Sequence, residues 1–138
     1  MTNESSSDTI KHLEFIQSVI TRLNSTAFLV KGWAMTLAAG TVGLAASQDD
    51  LRICGAGIVP VASFWMLDAY YLRQERMYRR LYDNVRLNSE SVERFSMDTS
   101  MYRTTTSFKE AAASPLLLLF YAASLATLLA LTVIPLAT

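Results

Sequence analysis

Two opposite charges stand inside runs that are otherwise apolar. Lys31 lies near the start of FLVKGWAMTLAAGTVGLAA (28–46), and Asp68 lies toward the end of the run that opens at Leu51. A charge drawn into hydrocarbon is costly, so its position carries information. The polar stretch Ser47-Gln48-Asp49-Asp50 falls between them. With that stretch as a hairpin tip, Lys31 precedes it and Asp68 follows it by about 18 residues each, which sets both at one height, roughly 27 Å from the tip. The leading expectation is an interhelical ion pair that fixes the register of the hairpin. Two alternatives stand beside it. One is independent snorkelling of the long side chain, with Asp68 paired to Arg73 or to another subunit. The other is a substrate or proton-coupling role, which asks for an ionisable group near mid-membrane, and the runs offer none there.

Little else in the chain has the spacing of chemistry. There is one cysteine, Cys54, and one histidine, His12. Cys54 sits in an apolar run and reads as a small buried filler, and His12 as a polar-face helix residue. There is no Gly-rich phosphate loop, no Ser/His/Asp set and no metal-spaced ligand cluster, so no enzyme activity, metal or cofactor is expected. The formal net charge is zero, and a nucleic-acid partner would demand a basic face.

The elements that position Lys31 and Asp68 follow from hydropathy. With 51% hydrophobic and 17% charged residues and a mean hydropathy of +0.26, the apolar content is gathered into runs. From a cap at Ser7 or Asp8, residues Ile10, Leu13, Ile16, Val19, Ile20 and Leu23 recur at spacings of three and four, an amphipathic helix. A first span at 28–46 is long enough to cross a hydrocarbon core of about 30 Å. The second runs from Leu51 to about Leu72 and contains Pro60, which predicts a kink. Good helix formers continue past the span, with Tyr71, Tyr78, Leu81, Tyr82, Val85, Val92 and Phe95 on one stripe and breaks expected near Asn84, Asn88 or Ser89. Residues 98–107 read as a connector. Ser107 to Glu110 has capping-box spacing, and Ser114-Pro115 opens a charge-free third span, Leu116 to Leu136.

The expected fold is therefore all-α and integral to a membrane, with three transmembrane helices. Residues 1–26 form a tail and an amphipathic helix, 27–72 a transmembrane hairpin, 73–113 a cytoplasmic helix and connector, and 114–138 the third span. Only Arg52 lies at the hairpin tip, whereas Lys11, Arg22, Arg73, Arg76, Arg79, Arg80, Arg86, Arg94, Arg103 and Lys109 lie on the other side. By the positive-inside rule the N-terminus is cytoplasmic and the C-terminus extracytoplasmic. Trp33, Trp65, Tyr70 and Tyr71 fall near the inner boundary as interface aromatics. Arg73, Arg76, Tyr78, Arg79, Arg80 and Tyr82 form a basic surface for anionic headgroups or a cytosolic protein partner. Met1 to Asp8 is acidic and Ser-rich, unlike a cleaved signal, so the chain is expected to keep its whole length. Ala38, Ala39, Gly40 and Gly43, with Gly55, Ala56, Gly57, Ala62 and Ser63, suit close helix packing within one chain or between subunits. Ala122, Ser124 and Ala126 give the third span a similar face.

Through Lys31-Gly32-Trp33 and Phe64-Trp65-Met66-Leu67-Asp68-Ala69-Tyr70-Tyr71-Leu72-Arg73-Gln74-Glu75-Arg76, the chain resembles small bacterial membrane proteins of the SLATT type. The resemblance covers roughly Ile10 to Val85, and the third span departs from the two-span plan. It implies an oligomeric effector in the bacterial inner membrane, in the setting of antiviral defence, that permeabilises the bilayer, for instance as a pore, on a signal from a cytosolic partner. The competing expectations are a membrane anchor or scaffold that docks a cytosolic enzyme on the Tyr-rich stripe, and a small transporter. The charge-poor spans argue against the transporter.

Overall fold

The computed structural model describes residues 2–87 and 90–137, and every regular element among them is helical. The first helix, α1 (Thr2–Ser47), runs 46 residues without a break. This corrects the expected start at Ser7 or Asp8 and places the amphipathic stretch and the first apolar run on one continuous helix. Polar residues that might have competed with the helix serve it instead: Thr26 returns its hydroxyl to Arg22 O (2.9 Å) and Thr21 to Gln17 O (3.0 Å), which satisfies them on the helix surface.

The hairpin tip is a helix stop built from backbone bonds. Asp49 adopts φ 53°, a left-handed conformation that Asp tolerates better than most residues. Asp50 N–H then reaches back to Ala45 O (3.1 Å), the long bond of a Schellman ending. The Asp50 carboxylate accepts from Arg52 N–H (3.0 Å) and opens a 3-10 segment, Leu51–Gly57. Helix α2 (Ile58–Arg86) follows with Gly57 as its cap. Pro60 is therefore the third residue of α2, where an amide has no intrahelical acceptor to lose. The kink expected of Pro60 inside a span becomes a change from 3-10 to α winding just before it.

Beyond the apolar part, α2 continues to Arg86 with Leu87 as its C-cap, so Val92 and Phe95 leave the helical stripe. Asn84 stays within the helix and donates to Tyr102 Oη (2.6 Å); Asn88 and Ser89 lie outside the described residues. The segment read as a featureless connector holds a 3-10 turn, Ser100–Tyr102, that buries Tyr102. Helix α3 (Phe108–Ala112) starts at Ser107, which makes no side-chain capping bond, so the capping box does not form. Helix α4 (Pro115–Ala137) starts where Ser114-Pro115 places it. Its first α bond joins Leu118 N–H to Ser114 O (2.9 Å), while the Ser114 hydroxyl is buried without a partner.

Two apolar tiers hold these helices together. In one, Ala34, Ala45, Cys54, Val61, Ala69, Leu117, Tyr121 and Leu128 join α1, the 3-10 segment, α2 and α4. In the other, Ile16 and Ile20 of α1 meet Met77, Leu81 and Val85 of α2, with Tyr102 beneath them. Burying a side chain such as Leu81 is worth about 1.5–3 kcal/mol, and the second tier matches the amphipathic period of α1 to the stripe on α2. The outer surface around the first tier remains apolar: Phe28, Trp33, Val59, Leu116 and Leu119 are all more than half exposed. Three helices are long and apolar enough to cross a membrane.

Candidate functional site

One carboxylate oxygen joins three helices. Asp68 lies on the inward face of α2 beside fully buried Ala69, and Lys31 Nζ approaches its Oδ2 to 2.6 Å. Tyr121, fully buried on α4, donates its hydroxyl to the same oxygen at 3.1 Å. The Asp68 side chain is 1% exposed and that of Lys31 23%. The alternative pairing of Asp68 with Arg73 is not the one observed. A buried pair contributes little net stability, yet removing one partner strands the other charge. The arrangement therefore specifies how α1, α2 and α4 sit together. Asp68 Oδ1 has no hydrogen-bond partner.

Sequence reading of this site missed Tyr121. A lone phenol in a run of Leu and Ala was the available signal, since a tyrosine hydroxyl buried among apolar residues normally finds an acceptor. It also leaves out the contacts of Trp65, an expected interface aromatic. Trp65 is half-buried, its ring stacks on Tyr121 (6.2 Å between centroids, 8° between planes), and its Nε1–H donates to Ala112 O (3.0 Å). That bond ties α2 to the last residue of α3. Trp33 and Tyr70 face outward, and Tyr71 meets Tyr70 edge-on at 5.9 Å.

The basic residues divide by what they touch. Arg73 donates from Nε to Thr106 O and from Nη2 to Arg103 O, both at 2.8 Å, so it fastens the connector and is not a free docking surface. Arg80 donates to Thr105 Oγ1 (2.7 Å), and Arg79 pairs with Glu75 one turn away at 2.7 Å. Arg76 has no ion pair or side-chain hydrogen bond among the described residues. Tyr78 and Tyr82 pack against the second tier. His12 is likewise drawn inside: it is 4% exposed, with Nε2 2.7 Å from Ser96 O, and not on a polar face.

A cleft of about 580 Å³ opens beside the ion pair, walled by Phe28 and Lys31 of α1, Asp68, Leu72, Glu75 and Arg76 of α2, and Ser114 to Leu117 at the start of α4. A second cleft, about 600 Å³ and mostly apolar, separates α1 from α4 along Met35, Ala39 and Gly43 on one side and Ala123 and Thr127 on the other. The small residues thus have two different roles. A Cβ on Gly57 would stand 2.7 Å from Thr41 Oγ1, and one on Gly55 3.3 Å from Thr132 Cγ2, whereas Cβ atoms on Gly40 and Gly43 would meet nothing within 4 Å. Gly55 and Gly57 permit packing within the chain; Gly40 and Gly43 face open space.

Comparison of the chain with protein-family models, with curated proteins and with solved structures returns no match.

Proposed function

We propose that the chain is a small membrane effector, embedded through α1, α2 and α4, that assembles in several copies and loosens the bilayer on a signal from a cytosolic partner. The sorting of Lys and Arg along the chain favours a cytoplasmic N-terminus and an extracytoplasmic C-terminus, and a bacterial inner membrane is taken from the SLATT resemblance. A role in antiviral defence rests on the SLATT resemblance alone. The observation that carries assembly is the open apolar cleft between α1 and α4, where Ala39 and Gly43 leave backbone surface uncovered at span depth. Small residues of this kind let a neighbouring membrane helix approach closely, and three helices are too few to enclose a pore alone. The scaffold reading is weaker because the stripe it needs is covered: Leu81 and Val85 pack on Ile16 and Ile20 of the same chain.

The test is dye release from liposomes carrying the purified protein, together with disulfide trapping of a Gly43→Cys variant. The reading expects trapped dimers in the membrane, and release that Gly43→Leu suppresses by filling the cleft. Liposomes that stay tight under every inducing condition, with no trapped dimer, would overturn it.

A further inference from the structure

The cleft beside the ion pair gathers unmet polar atoms of complementary kinds. Ser114 is 93% buried, reckoned from its 7% exposure, and its hydroxyl has no partner. Asp68 Oδ1 is a second buried atom without one, and both residues line the same cleft. The amides of Leu116 and Leu117 stand in the first turn of α4, ahead of the Leu118 to Ser114 bond, where helix amides have no acceptor of their own. Beside them is the Arg76 guanidinium, which no carboxylate neutralises among the described residues.

Charge arithmetic narrows what fits. The wall carries Lys31 and Arg76 against Asp68 and Glu75. Lys31 is paired with Asp68 and Glu75 with Arg79, which lies outside the cleft, so Arg76 is the one charge on the wall without an ion-pair partner among the described residues. A single anionic group satisfies it. A phosphodiester suits a planar guanidinium, helix amides and a serine hydroxyl together. Asp68 Oδ1 then asks for a hydrogen-bond donor on the same ligand, and a neutral hydroxyl supplies one without adding positive charge. The remaining wall is apolar, from Phe28, Leu72 and Leu116, and suits acyl chains at the edge of a bilayer.

We infer that this cleft is a binding site for a glycerophospholipid of net charge −1 whose headgroup carries hydroxyls, phosphatidylglycerol being the simplest. Its phosphate lies against Arg76, Ser114 and the start of α4, and a headgroup hydroxyl donates to Asp68 Oδ1. The inference rests on the membrane reading above but not on assembly or leakage.

The experiment is native mass spectrometry of the full chain, delipidated in detergent and titrated separately with phosphatidylglycerol, phosphatidylethanolamine and glycerophosphate. A parallel reconstitution into vesicles, read by resistance to carbonate extraction, reports insertion. The expected result is a one-to-one adduct with phosphatidylglycerol that Arg76→Ala weakens tenfold or more and Arg86→Ala leaves unchanged, a charge-assisted contact having about this strength. Ser114→Ala is expected to weaken the adduct less, and glycerophosphate to bind far more weakly than the lipid. Equal binding of phosphatidylethanolamine, an adduct indifferent to Arg76→Ala, or glycerophosphate matching the lipid would each overturn the inference while insertion stands. Failure to resist carbonate extraction would overturn this inference and the membrane reading together.

Discussion

Asp68 Oδ2 is the atom on which the arrangement of α1, α2 and α4 converges, and its removal is predicted to cost more than any contact it makes is worth. Asp68→Ala leaves the Lys31 ammonium half-buried and unpaired, so a loss of about 3 kcal/mol is expected. Tyr121→Phe removes only the hydrogen bond to the carboxylate and is expected to cost about 1.5 kcal/mol. Thermal unfolding in detergent checks both, and an Asp68→Ala protein as stable as the parent would show that the pair does not hold the helices. A second residue-scale prediction concerns Asp98, whose carboxylate accepts from Ser100 N–H and Oγ–H at 2.8 Å each. These bonds hold its pKa below the ordinary 3.8 against an opposing contribution from desolvation, and Arg103 adds the smallest part to the lowering. A lowered folded value means that the bonds stabilise the turn above about pH 3.8 and that this is lost as pH falls through the depressed value. The protection of the Ser100 amide, measured relative to its intrinsic exchange rate, is expected to fall on that acidification, and Asp98→Asn to remove this pH-dependent change in protection. The Lys31–Asp68 approach was legible because equal distance from a tip is a one-dimensional property. Tyr121 was not, since nothing in a Leu and Ala run marks which way a helix is turned. His12 could have been read correctly: it shares the i, i+4 row of Ile16 and Ile20, and a row that is buried at 16 and 20 is buried at 12.

At the scale of elements, the apolar runs predicted the three helices long and apolar enough to cross a membrane, but hydropathy is blind to how a run is wound. Leu51–Gly57 is as apolar as its neighbours yet adopts 3-10 winding, and its glycines show why the segment must sit close: Gly57 has Thr41 and Leu128 against it. Thr41 Oγ1 is held by Ala38 O at 2.8 Å, so it does not yield easily to an added methyl. Gly57→Ala is predicted to destabilise by about 1–3 kcal/mol, and Thr41→Ala in the same chain to restore most of that. Gly43→Ala, with open space around it, is expected to be neutral or to gain a few tenths of a kcal/mol from helix propensity. Unfolding midpoints of the four proteins decide the matter; equal effects at positions 57 and 43 would mean that the close approach does not exist. The sequence divides the amphipathic helix from the first apolar run at residue 26. Composition changes there but backbone does not, because Asn24, Ser25 and Thr26 contain neither Gly nor Pro and Thr26 bonds back to the helix.

In the whole molecule, the tier around Leu81 and the tier around Tyr121 are joined by two unbroken helices, α1 and α2, and by the Arg73 bonds to the connector. That integrity was only partly legible in the sequence, since some of the bonds linking distant segments, such as His12 to Ser96 and Trp65 to Ala112, involve backbone carbonyls that no residue type advertises. Replacing Ser25 and Thr26 by two glycines is predicted to preserve both tiers but uncouple their motions. Spin labels at the two ends of α1 would then show a broadened distance distribution, and an unchanged one would refute the coupling. The unbroken α1 has a mechanical consequence. Its 46 residues span about 69 Å at 1.5 Å per residue, of which about 40 Å lies outside a hydrocarbon layer of about 30 Å once the apolar part is seated there. Pivoted at mid-bilayer, a tilt of about 10° sweeps the outer tip through about 9 Å while the immersed tip moves under 3 Å. With α1 seated as proposed, such a lever would trade travel for force about three- to fourfold, so a weak push far from the lipid would arrive at the hairpin as a short, strong one.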